Sequence, residues 1–148
     1  MKAIQLFSIP VTDQGRAKAF YVDTLGWELV RDDAMGPDQR WVQVRPRGGE
    51  TSVTLVTWFE SMPAGSMRGV VIETDDLEGD AAVLRERGVR VDSAIEEAPW
   101  GRWVTFDDTD GNGFVLQATV PRREAAAPEA DVPGAGPESN RDLQDAFD

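Results

Sequence analysis

The 148-residue sequence contains neither cysteine nor histidine. Without cysteine there can be no disulfide, no thiolate metal ligand and no thiol nucleophile. Without histidine the commonest metal ligand and the commonest general base near neutral pH are missing together. Serine–histidine–aspartate and cysteine–histidine triads are therefore excluded. Any metal site would have to be all oxygen, a donor set that suits Mg²⁺, Ca²⁺ or Mn²⁺ better than zinc or iron. Long apolar runs are also missing, so no membrane-spanning helix is expected. The opening residues MKAIQLFSIPVTD carry polar and charged groups where a signal peptide needs an apolar stretch, and they read as a first strand. A cytoplasmic protein is expected. Basic residues are few, 15 Lys and Arg against 27 Asp and Glu, for a formal net charge of −12. Without a basic face, nucleic acid is not an expected partner, and the acidity reads as solubility.

The sequence repeats itself. A shift of 62 places Thr12-Asp13 on Thr74-Asp75, Gly26 on Gly88, Arg40-Trp41-Val42 on Arg102-Trp103-Val104 and Val53 on Val115. Repeats in order over this length indicate two tandem modules, about 1–60 and 61–120. In the first, residues 3–11 read as a strand, Asp13 as a helix N-cap, and Ala17, Phe20, Tyr21 and Leu25 as one buried helical face. Gly26 stands where a left-handed C-cap is needed. Strands are expected near 27–32, 40–46 and 52–59. In the second, a strand at 68–74 leads to a cap at Asp75 or Asp76. A helix with Leu77, Ala81 and Leu84 buried follows and ends at Gly88. Further strands are expected near 89–95, 102–107 and 113–119. The order is βαβββ twice. The fold class is therefore α+β, with curved mixed sheets around a cleft. Residues 121–148, rich in Ala, Pro, Glu and Gly, are expected to form a disordered acidic tail. Residues 139–147 have an alternative reading as a docking helical turn with Leu143 and Phe147 on one face.

Ile9-Pro10-Val11-Thr12-Asp13, Ala19-Phe20-Tyr21 and Leu25-Gly26-Trp27 resemble the opening of glyoxalase/bleomycin-resistance (vicinal oxygen chelate) proteins. Asp75-Asp76-Leu77, Arg87-Gly88-Val89, Pro99-Trp100-Gly101 and Phe106-Asp107-Asp108-Thr109-Asp110-Gly111-Asn112 resemble their second half. The resemblance spans about residues 3–118 and implies that superfamily's fold. Its metal-dependent members place His or Glu on the first and fourth strands of each module. The matching positions here are Leu6, Gly69, Val53 and Val115, none of which has a ligating side chain. The resemblance therefore implies the metal-free branch, with no metal and no cofactor. Such proteins bind drugs or other flat hydrophobic molecules in the cleft, usually as homodimers. The alternative is a glyoxalase-like enzyme (a lyase, isomerase or dioxygenase relative) acting without metal or through an all-oxygen metal site.

The expected ligand is a hydrophobic or aromatic small molecule, and the candidate binding residues are Trp41, Trp58, Trp103, Phe7 and Phe114. Each has an alternative as a core or dimer-interface residue. Arg40 and Arg102 precede two of the tryptophans and must point to the opposite sheet face. Glu60, Glu73, Glu96 and Glu97 show no pairing that compels acid–base work, so no catalytic residue is assigned. Asp108-Thr109-Asp110-Gly111-Asn112-Gly113 fits the first half of a calcium loop, but the position of the closing Glu is Thr119. A tight turn is the favoured reading.

Overall fold

The computed structural model describes residues 1–120. The expected tail at 121–148, and the alternative helix within it, lie outside the described residues. The chain runs β1 (Leu6–Pro10), α1 (Gln14–Ala19), β2 (Glu28–Ala34), β3 (Arg40–Arg45), β4 (Ser52–Val56), β5 (Val70–Glu73), α2 (Leu77–Glu86), β6 (Glu96–Ala98), β7 (Gly101–Asp107) and β8 (Gly113–Thr119). The order βαβββ thus occurs twice, as the repeat implied. Each half makes a four-stranded sheet of the same topology, β1-β4-β3-β2 and β5-β8-β7-β6. In each, the first strand pairs parallel with the fourth and the remaining pairs are antiparallel. Among the described residues no helix is long and apolar enough to cross a membrane.

Local chemistry explains the boundaries. Asp13 caps α1 by accepting the Arg16 N–H at 3.0 Å, and Asp76 caps α2 by accepting that of Gly79 at 3.0 Å. α1 then widens into a π-type turn over Phe20–Thr24. Gly26 and Gly88 end the helical segments at φ +76° and +80°, a backbone that side-chain-bearing residues resist. The strand expected at 89–95 is a correction. That segment makes one bridge, Val91 to Phe106, and the regular strand is β6, further along. Asp92, Ser93 and Ala94 are exposed, leaving nothing to anchor a longer ladder.

The core lies between each sheet and its helix and continues across the two halves. Leu77, Ala81 and Leu84 pack from α2, and Ala17, Phe20 and Tyr21 from the α1 segment. Phe114 is the aromatic junction. It stacks on Phe106 at 5.1 Å and meets Tyr21 and Trp27 edge-on at 6.0 and 6.4 Å.

The turn between β7 and β8 ties the halves together. Asp108 Oδ1 accepts the N–H groups of Asp110 and Asn112, both at 2.9 Å. Its Oδ2 accepts the Tyr21 hydroxyl at 2.6 Å and Asn112 Nδ2 at 2.8 Å. Asn112 Nδ2 also donates to the Pro10 carbonyl at 2.9 Å, while Asn112 Oδ1 accepts the Met67 N–H at 3.1 Å. Protein donors thus satisfy both Asp108 oxygens, as in a structural Asx turn rather than a cation loop.

Candidate functional site

Strand alternation gives each sheet a helix-facing side and an open side. On β7, Arg102 points to the helix side, where its guanidinium pairs with Glu78 of α2 and approaches Glu97 at 3.5 Å. That pairing holds the Glu78 carboxyl below the usual range. Trp103, Thr105 and Asp107 therefore face the open side, where they line a cavity of about 650 Å³. Arg40 likewise points to the α1 side and pairs with Asp32, which also accepts Lys18 Nζ at 2.7 Å. In both modules the Arg and the following Trp take opposite faces.

The cavity has two unlike ends. At one, Trp103 stacks on Trp100 with ring centroids 4.8 Å apart and planes 18° from parallel. Glu96 lies opposite Trp103 in the β6–β7 register. Trp100 Nε1 and Gln117 Oε1, outside the cavity lining, are buried without hydrogen-bond partners among the described residues. At the other end, Asp107 stands 3.9 Å from Arg68, with Arg90 nearby. Burial pushes the Asp107 carboxyl above its usual range, against the pull of Arg68 and Arg90. Between the ends, Asp92 accepts the Thr105 hydroxyl.

The other candidate side chains lie elsewhere. Trp41 is on the open face of the first sheet, where Nε1 donates to Gln43 Oε1 at 3.0 Å. Ser8 and Thr54 share a hydrogen bond of 3.1 Å on that face. Trp58 lies just beyond β4, beside Phe59 at 6.2 Å. Phe7 packs half-buried against the core, and Phe114 is buried within the aromatic junction at the edge of the cavity wall. Trp103 is the one candidate whose ring is on the open face of the cavity sheet. Arg68, Arg90 and Asp107 were not singled out by the sequence. The sequence pattern places Arg68, Arg90 and Asp107 in the strands expected at 68–74, 89–95 and 102–107 and assigns them no role, whereas Arg68 and Arg90 lie in connecting segments and only Asp107 ends a strand.

The four positions matching metal ligands in relatives separate in space. Gly69 and Val115 line the cavity. Val53 does not occupy the corresponding place in the first sheet, because it is buried in the core. Thr54 stands on the open face instead. Gln43 and Thr105 are 62 apart, but their cross-strand partners Thr54 and Val115 are 61 apart, so the β3–β4 hairpin is one residue longer. Leu6, Thr54, Gly69 and Val115 do not make a donor set for a divalent metal. Among the described residues no cluster of three acidic groups has metal-site geometry.

The sequence model of the Glyoxalase/Bleomycin resistance protein/Dioxygenase superfamily matches residues 3–116. The crystal structure of TnmS3, an antibiotic binding protein from Streptomyces sp. CB03234, is 48% identical and superposes with a TM-score of 0.76, covering 81% of this chain and 98% of that one. A glyoxalase/bleomycin resistance protein from the same organism is 51% identical with a TM-score of 0.69, over 76% of this chain and 96% of that one. YetH of Bacillus subtilis, an uncharacterized protein, is 33% identical over 79% of this chain and 98% of its own length.

Proposed function

The chain belongs to the Glyoxalase/Bleomycin resistance protein/Dioxygenase superfamily, and from that premise we propose that it is a cytoplasmic small-molecule-binding protein, acting in drug or metabolite sequestration without a metal. Residues 1–120 are the proposed binding domain. The observation that carries this reading is the Trp103–Trp100 stack beside a cavity of about 650 Å³, a size suited to a drug-sized ligand. Trp103, backed by Trp100, gives the cavity wall an aromatic contact for a flat aromatic molecule. The 48% identity to an antibiotic binding protein supports the same reading. The cavity walls come from the second sheet and its loops, so its open side is available to a second copy of the chain. We therefore propose a homodimer.

The test is native mass spectrometry of the gently purified protein, followed by titration with the neutral planar probe pyrene-1-methanol. The expected results are a dimer mass, an organic adduct or probe binding, and quenched tryptophan emission. Lack of any binding, with a stoichiometric divalent metal surviving desalting, would sink the reading in favour of a metal-assisted enzyme.

A further inference from the structure

We propose that the cavity selects planar aromatic molecules carrying a carboxylate or similar oxyanion at one end, with Arg68 reading that group and Gly113 positioning Arg68. This rests on the binding reading above and specifies its ligand class.

Arg68 precedes β5, and its side chain crosses the bare backbone of Gly113 at the start of β8. A Cβ on Gly113 would come within 2.8 Å of Arg68 Nη1 and 3.1 Å of its Cδ. The missing side chain therefore leaves the space in which the arginine lies. Nη1 donates to the Gly111 carbonyl, which fixes the guanidinium against the sheet. Asp107 at 3.9 Å is beyond hydrogen-bond range, and among the described residues the guanidinium donates one hydrogen bond, to the Gly111 carbonyl. Planar donors of this kind match a carboxylate in a two-point bond that a lysine cannot reproduce.

The rest of the cavity fixes the ligand's length and direction. Asp107 and Trp103 are four residues apart on one strand, about 13 Å along it. A three- or four-ring aromatic acid spans that distance with its ring on Trp103 and its carboxylate at Arg68. At that end Arg68 and Arg90 offset the Asp107 carboxyl, whereas the reverse orientation would bring the acid against Glu96, across the ladder from Trp103. Charge thus sets orientation as well as selection.

The experiment titrates the full chain with pyrene-1-carboxylate and pyrene-1-methanol, which share one ring system and differ in charge. Wild type is expected to bind the carboxylate about 10-fold more tightly, the scale of one charge-assisted hydrogen bond. Arg68→Met is expected to bring the ratio to about one while leaving the alcohol's affinity within about 2-fold. Gly113→Ala is expected to do the same with the arginine still present, because its methyl group displaces the guanidinium. The close atoms belong to the mobile end of a side chain, so the fold should tolerate that methyl, and a thermal melt checks this. Equal affinities in wild type, or a preference that survives Arg68→Met, would overturn the proposal while the binding reading stands. A preference retained in folded Gly113→Ala would overturn the positioning role. If neither probe binds wild type, both the proposal and the planar-ligand reading fall.

Discussion

The phenol of Tyr21 donates a 2.6 Å hydrogen bond to Asp108, 87 residues further along the chain. Burial first, and then the Asp108 charge, push the Tyr21 pKa far above the ordinary tyrosine range. At high pH the unfolded chain therefore loses a proton that the folded chain keeps. The stabilising effect is complete below the unfolded value of 10.0 and declines above it. Denaturant unfolding should show stability falling with pH above that point by up to about 1.4 kcal/mol per pH unit from this group alone. Tyr21→Phe should remove that component of the slope and cost about 1–3 kcal/mol at pH 7, since it leaves a buried carboxylate short of a donor. An unchanged slope in Tyr21→Phe would exclude this linkage.

Asp32 joins two cations, Lys18 and Arg40, and the Lys18 bond followed by the Arg40 bond holds its carboxyl below the usual range. Its stabilising effect is present above the unfolded carboxylate pKa of 3.8 and is lost as pH falls through the lower folded value. Asp32→Asn should cost about 1 kcal/mol at low salt and less in 0.5 M NaCl. Urea midpoints at the two salt concentrations measure this.

Trp103→Leu should keep the fold but weaken pyrene-1-methanol binding about 10-fold, through loss of ring stacking and contact area. Trp58→Leu, remote from the cavity, should leave it unchanged. Fluorescence titration of the two variants distinguishes a specific platform from general hydrophobic capture.

Added calcium should move the melting temperature by less than about 1 °C at millimolar concentration, because a cation that does not bind the folded state cannot stabilise it. Both Asp108 oxygens already accept from within the protein. A scanning calorimetry shift of several degrees would show that the turn opens to take the ion.

Much of this was legible in the sequence because it follows from short-range rules. The caps at Asp13 and Asp76, the left-handed glycines at 26 and 88, and the opposition of Arg102 to Trp103 depend on dihedrals and alternation. The assignment of Val53 failed because repeat matching follows a constant shift, whereas the β3–β4 hairpin has one extra residue. One residue exchanges sheet faces, so Thr54 takes the open side. The strand expected at 89–95 failed because its pairing with β7 stops at one bridge, Val91 to Phe106, before the exposed Asp92, Ser93 and Ala94. Arg68 was hidden for a different reason. Its place depends on the absence of a side chain at Gly113, 45 residues away, and no local pattern encodes an absence.

The bonds from Asn112 to Pro10 and from Thr12 to Asp110 join residues 102 and 98 apart, whereas each sheet closes within its own half. Closing such long loops costs entropy before any contact is gained. The two halves can therefore build their own ladders early, with the junction completing last. The same junction makes the native halves interdependent. A break at Asp108 would free the Tyr21 hydroxyl and loosen Asn112, which holds the Pro10 carbonyl, weakening at once several polar ties between halves that share one core.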